Sequence, residues 1–343
     1  LSERSPRDIA LLTTSYPRFD DDPSGHFVEA HAHELSRAGH RVTVLAMGSP
    51  ASERGSGDPA LEVRWLGGEG VFGWPGASAR LAEAPWRAAF ALGPAARAAL
   101  AATSFDEVVA HWIVPSAFPI AWLAGRTGVE VWAHGADVRL LGRAPRLART
   151  VVARLLATRA RFVFVARPLL EALGEVVGPS LRDALEAASR VRPAPIEVPE
   201  RASLVDPRPA SERASPYVVW VGRMVRDKRP AMAARAAAAA GVRLVMIGDG
   251  PEAPSTSRHI SVKGRLPRRE ALAWIAHASA LVCTSEVEGA PTVVREARAL
   301  GVPVVTTPCG DVDATAAADP GVIVVRSAAA LAAWLGQLAT TSG

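Results

Sequence analysis

Two glutamates eight residues apart, Glu288 and Glu296, bracket a stretch whose residue types suit a phosphorylated ligand. From Cys283 it reads C-T-S-E-V-E-G-A-P-T-V-V-R-E. An apolar strand ends near Cys283, a polar loop containing Gly289 follows, and Pro291 suits the first turn of a helix, where its missing N–H is no loss. Gly301 and Pro303 stop that helix before the next strand. The free amides of Thr292 and Val293 then point back into the loop with the positive helix end behind them, an arrangement that suits phosphate. Thr292 and Glu296 share one helical face, so Glu296 can accept from a ribose diol while phosphates lie at the helix start. Glu288, ahead of the helix, reaches a group beyond the phosphates. On spacing alone the plainer account, a loop carboxylate and a surface helix residue, is favoured.

A second loop bears on the choice. The strand before it ends V-G-R-M-V-R-D-K-R-P, which puts Arg223 and Lys228 on the same sheet edge. Arginine offers a planar fork and lysine a point charge, a sensible pair for a diphosphate. Ordinary solvated charge, shared with Arg226 and Arg229, is the alternative. A third loop, K-G-R-L-P at 263–267, offers backbone groups to a base.

These loops need a frame that gathers them. Short β-branched or apolar runs alternate with Ala/Leu/Arg helical stretches, the pattern of parallel α/β sheets. Strands are expected at 8–14, 41–46, 61–65, 106–110, 129–133 and 161–165, then at 217–221, 242–247, 260–262, 280–283, 302–306 and 322–325. Helices are expected notably at 25–38, 79–101 and 144–158. The Pro-rich stretch 191–216 divides an N-terminal Rossmann-like domain (1–190) from a C-terminal ligand-binding one (217–326). Residues 327–343 form a terminal helix and tail that could return to the N-terminal domain. Doubly wound domains bind ligands at the carboxyl ends of their strands, and two of them joined by one linker enclose a cleft.

Bulk properties restrict the classes. The 343 residues suffice for two cores, and 49% hydrophobic with 21% charged residues is a globular composition. No apolar run has the length of a membrane span, and L-S-E-R-S-P-R-D at the start lacks a signal-peptide core. With two cysteines, Cys283 and Cys309, a reducing cytoplasm is the default. The formal charge of +5 favours anionic partners, although Ala/Arg compositional bias explains it as well. His26, His31, His33 and His40 lack a carboxylate–histidine metal signature, so they read as a helix surface.

Taken together these motifs resemble the GT-B retaining glycosyltransferases of family 4. That family's E-x7-E matches Glu288 and Glu296. Its G-R-x-x-x-x-K loop matches Gly222, Arg223 and Lys228. I-G-D-G-P-E at 247–252 and G-R-L-P at 264–267 also match, in the same order. The fold implied is GT-B, two Rossmann-like α/β domains facing a cleft. The resemblance implies that Glu296 binds the ribose hydroxyls, Glu288 the donor sugar, and Arg223 with Lys228 the diphosphate. Gly289, Thr292, Val293, Arg265 and Leu266 are expected as further donor contacts in this half.

In the N-terminal half, S-Y-P-R-F-D-D-D-P-S-G-H-F resembles the family's opening, with Gly25 at the donor phosphate and Ser24 where the family often has a first glycine. A-H-W-I-V-P and W-A-H-G-A-D-V resemble two cleft-facing segments. They imply that His134 lies against the donor sugar, that Asp137 supports the site or the acceptor, and that His111 lines the acceptor side. From residue type alone, each histidine is more readily a structural hydrogen-bonding group.

The reaction implied moves a sugar from a nucleoside diphosphate, UDP before GDP or dTDP, to an acceptor hydroxyl with retention. No metal and no cofactor beyond the donor is expected, since no D-x-D pattern is placed to hold Mg²⁺. The acceptor is a small molecule, a glycan or a lipid-linked molecule, with peripheral membrane contact compatible and nucleic acid not expected. An oligosaccharide antibiotic of the orthosomycin kind would suit the chain's length and bias. Trp65 or Trp74 could stack on the acceptor, and core packing is at least as good an account. Other readings stay open: a GT-B UDP-sugar 2-epimerase, or a noncatalytic membrane or nucleic-acid binder using Arg143, Arg146, Arg149, Arg154, Arg159 and Arg161. A nicotinamide oxidoreductase fails because no G-x-G-x-x-G follows the first strand.

Overall fold

The computed structural model describes residues 5–49, 58–67 and 85–341. The chain forms two compact units, 1–195 and 196–343. Each is built on one all-parallel sheet with helical crossovers, as the alternation of apolar runs and Ala-rich stretches requires.

Among the described residues the first unit has seven strands: β1 (Asp8–Thr13), β2 (Arg41–Ala46), β3 (Leu61–Trp65), β4 (Glu107–His111), β5 (Glu130–Ala133), β6 (Arg161–Phe164) and β7 (Ser189–Val191). Their order is β3-β2-β1-β4-β5-β6-β7. The chain winds outward in one direction from β1 and in the other from β4, so the switch point lies between those two strands. Its helices are α1 (His26–Arg37), α2 (Pro85–Ala102), α3 (Ala136–Gly142), α4 (Pro145–Ala157), α5 (Arg167–Val177) and α6 (Pro179–Ala187), with a kinked helical segment at Ile113–Ala121. Central strands are apolar on both faces: Ile9 to Leu12 and Val131 to Ala133 are buried.

The second unit has six strands: β8 (Val218–Val221), β9 (Leu244–Ile247), β10 (Ile260–Val262), β11 (Ala280–Cys283), β12 (Val304–Thr306) and β13 (Val322–Val324), ordered β10-β9-β8-β11-β12-β13. Around them lie α7 (Pro230–Ala240), α8 (Arg268–Ala276), α9 (Thr292–Ala299), α10 (Val312–Ala318) and α11 (Ala328–Thr341). Here the switch point separates β8 from β11. The two loops singled out from the sequence leave the carboxyl ends of those two strands.

Most expected strands appear with ends shifted by one or two residues. β7 is an addition: three residues at the sheet edge, without an apolar run, held by pairing with β6. The Pro-rich stretch packs on the second unit. Leu204 is buried, His277 meets its carbonyl at 2.9 Å, and Arg208 pairs with Asp206 while lying over the Tyr217 ring. The sequence left the terminal helix free to pack on either half, a return to the N-terminal one included. It takes the second: α11 lies against α7, with Leu331 and Leu335 buried in the second unit's core. The expected start of α2 and Trp74 fall outside the described residues. Trp65, at the end of β3, makes an edge contact with Tyr16 in the core.

Candidate functional site

In the second unit, glycines let three loops close on one another. A Cβ on Gly248 would lie 1.9 Å from the Gly222 carbonyl oxygen, and one on Gly250 would lie 2.3 Å from that of Met224. Both glycines have positive φ, +128° and +146°. Gly222 N–H donates to Ile247 O at 3.0 Å, and Gly248 N–H donates to Gly264 O at 2.8 Å. The G-R-M-V-R-D-K, I-G-D-G and G-R-L-P segments are thereby stitched together at one sheet edge.

The loop after β11 is laced to the loop after β8. Glu286 N–H donates to Asp227 O at 2.8 Å, and Thr284 Oγ1 donates to Lys228 O at 2.9 Å. Arg229, which looked like solvated charge, is instead a clamp. Its guanidinium donates to the carbonyls of Thr284 and Ser285 and to Thr307 Oγ1, from a backbone at φ +47°. Sequence reasoning missed it because its partners lie 55 to 78 residues away.

On this frame the Lys228 ammonium pairs with Glu288 Oε1, which also accepts from Ser285 Oγ at 3.0 Å. Both side chains are about a fifth exposed. Two groups assigned separately to diphosphate and sugar therefore share one ion pair. Arg223 is exposed and has no ion-pair partner among the described residues. Gly289 is buried, its carbonyl accepting from Asp311 N–H and lying where a Cβ on Gly310 would be, at 1.8 Å. Pro291 is the residue before α9 rather than within its first turn, so Thr292 and Val293 supply the first two helix amides.

Glu296 is not a surface residue. It is 7% exposed and accepts from Arg268 Nη2 at 2.6 Å, and the same nitrogen bonds Glu197 O at 2.8 Å. Arg268, the first residue of α8, went unnoticed because the pair joins residues 28 apart. Arg265 is exposed, and Leu266 packs partly into the core.

In the first unit, Gly25 precedes α1 at φ +67°, and a Cβ there would lie 2.5 Å from Ser15 O. The preceding loop is organised by Asp22, which accepts from the amides of Arg18 and Ser24 and from Ser24 Oγ. After β5, Asp137 is buried and its carboxylate accepts four main-chain amides, of Ile113, His134, Gly135 and Val138. Burial raises its pKa and those amides oppose the rise. Of the two parts expected of it, supporting the loop fits this geometry.

His111 cannot line an acceptor surface, because it is 0% exposed. Its Nδ1 lies 2.9 Å from His134 Nε2 and its Nε2 lies 3.0 Å from His31 Nδ1. The expectation of a histidine helix surface also fails at His31 and His40, both buried. His134 is the partly exposed end of this row, between Phe27 and Trp112. Desolvation lowers the pKa of all three histidines, to about 3 for His31 and His134, so each is a neutral imidazole at pH 7.

Residues 215–341 match the family described as "Glycosyl transferases group 1". In its C-terminal unit this chain is therefore similar to the group 1 glycosyl transferases. The matched segment begins just before β8 and takes in Arg223, Lys228, Glu288, Thr292 and Glu296. A 97-residue stretch is 37% identical to TuaC of Bacillus subtilis (strain 168), a glycosyltransferase assigned to teichuronic acid biosynthesis. That stretch is 27% of this chain and 25% of TuaC. Likeness in fold extends over nearly the whole chain. Anabaena Alr3699/HepE, in complex with UDP and glucose, is 14% identical with a TM-score of 0.63, over 98% of this chain and 91% of that one. AviGT4, a glycosyltransferase involved in avilamycin A biosynthesis, is 19% identical with a TM-score of 0.56, over 98% and 88%. The segment similar to group 1 glycosyl transferases thus sits in a chain of GT-B fold.

Proposed function

We propose that the chain transfers a sugar from a nucleoside diphosphate donor, UDP-sugar foremost, to an acceptor hydroxyl with retention of configuration. The observation that carries this reading is the lacing of the β8 and β11 loops, which sets Lys228 against Glu288 beside the start of α9. A diphosphate there meets Arg223, Lys228 and the amides of Thr292 and Val293, groups that oppose its charge most strongly as it departs. Glu296, oriented by Arg268, takes the ribose hydroxyls, and Glu288 takes a hydroxyl of the sugar. In the first unit, Gly25 suits a close backbone approach by a phosphate, and the partly exposed His134 can bond a sugar hydroxyl.

In the proposed step the bond between the anomeric carbon and the diphosphate oxygen breaks through an oxocarbenium-like state. The acceptor oxygen bonds the same face, and its proton passes to the departing phosphate oxygen. Arg223, Lys228 and the helix start serve in place of a metal ion. Of the six arginines that suggested a noncatalytic binder, Arg161 pairs with Glu107, Arg149 donates to Val177 O, and Arg154 lies over Trp122. No helix among the described residues is long and apolar enough to cross a membrane.

Calorimetric titration with UDP, GDP and dTDP tests the donor, with tightest binding expected for UDP. Incubation with UDP-sugar and a panel of glycan, lipid-linked and oligosaccharide-antibiotic acceptors, read by product NMR, tests transfer and stereochemistry. Binding of none of the three nucleotides would refute the reading. A C2-inverted sugar formed without acceptor would favour epimerisation instead.

A further inference from the structure

The first unit holds a feature that donor binding does not by itself require. His31 on α1, His111 at the end of β4 and His134 just after β5 form one hydrogen-bonded row, with contacts of 3.0 and 2.9 Å. Trp132 backs it. The indole stacks on His111 at 10° and 5.6 Å and packs on His31 at 4.5 Å. Its own N–H is engaged with Glu130 at 2.9 Å, so it does not compete for imidazole nitrogens. His111 and His134 lie nearly parallel, 14° apart.

A neutral imidazole carries one ring proton, and each contact in the row needs one proton between its two nitrogens. If His111 Nδ1–H donates to His134 Nε2, then His111 Nε2 is bare and must accept from His31 Nδ1–H. His134, with Nε2 bare, then carries its proton on Nδ1. In the opposite sense all three rings are protonated on Nε2. No mixed arrangement satisfies both contacts. The nearby charges leave the rings neutral: Arg192 pairs with Glu34 and Arg190 with Glu130, and both cations disfavour a proton added to His31.

We infer that His31 is a positioning residue which, through His111, sets the tautomer of His134 and so decides whether Nδ1 of His134 donates or accepts. The three rings share one tautomer and change it together. The consequence for catalysis rests on the proposed placement of His134 at the donor sugar, whereas the coupling itself does not.

The full chain, labelled with ¹⁵N in histidine, gives each ring's tautomer from long-range ¹H–¹⁵N correlations. All three rings should show the same tautomer in the wild type. His31→Phe, which keeps an aromatic ring on Trp132 without a hydrogen bond, should leave His134 in a tautomer mixture. His31→Asn, with an amide near the former Nδ1, should restore a single form. Unlike tautomers among the three wild-type rings, or an unchanged His134 in His31→Phe, would overturn the inference. Should His31→Phe not fold, the wild-type pattern and His31→Asn still decide it. With UDP-sugar, His31→Phe should lower kcat about tenfold or more and His31→Asn should recover most of it. Tautomer coupling with an unchanged kcat would support the row and count against His134 at the sugar.

Discussion

The Arg268 guanidinium bonds Glu296 at 2.6 Å while anchored to the Glu197 carbonyl, so the carboxylate assigned to the ribose is held by a cation from another helix. Both side chains are at most 15% exposed. A carboxylate left there without its partner is costly, whereas removing both charges is less so. Arg268→Ala should destabilise the second unit by about 2–4 kcal/mol and raise the donor KM about tenfold or more. Arg268→Ala/Glu296→Ala should be less destabilised than the sum of the single variants. A double-mutant cycle by urea unfolding, with donor kinetics alongside, measures both; additivity would count against the coupling.

Lys228 and Glu288 share an ion pair, yet their proposed jobs differ. Lys228→Ala removes positive charge from the departing diphosphate and should lower kcat about 10²–10³-fold. Glu288→Gln keeps a hydrogen-bonding group and releases Lys228. It should retain nucleotide binding within about threefold while transfer falls about tenfold or more. Calorimetry with UDP beside steady-state kinetics separates the two effects.

Gly310→Ala would drive a Cβ to 1.8 Å from the Gly289 carbonyl oxygen, whereas Gly241, also at positive φ (+69° against +55°), has nothing within 4 Å. Gly241→Ala should lose only the backbone strain, about 1–2 kcal/mol, with donor KM unchanged. Gly310→Ala should lose more and should also raise the donor KM, because the displaced loop carries Glu288. Thermal melts and donor kinetics of the two variants test this.

The histidine row gives the first unit a direction of pH dependence. His31 and His134 stay neutral down to about pH 3, while an unfolded histidine takes a proton near 6.5. Between those values the unfolded chain binds more protons, so the row's contribution is complete above about pH 6.5 and is lost as pH falls toward 3. Each excluded proton adds about 1.4 kcal/mol per pH unit to the slope. Urea unfolding at pH 7.5, 5.5 and 4.5 should show that fall, and His31→Phe should make it shallower.

The loops proposed to hold the donor were legible in the sequence because each is local. Pro291, Thr292 and Gly301 bound one helix, Gly222 through Lys228 one turn, and apolar periodicity fixed nearly every strand. The first unit was less legible. His111 was expected to face an acceptor, but residue type cannot tell a strand-end histidine turned outward from one turned inward.

The sequence by itself determined two parallel α/β sheets and the loops that carry Arg223, Lys228, Glu288 and Glu296, since periodicity and turn chemistry act over a few residues. Only the tertiary structure decided the partners: Arg268 for Glu296, Arg229 for the β11 loop, and His31 with His111 behind His134. The physical reason is that these bonds join residues 23 to 80 positions apart, brought together by sheet order and burial.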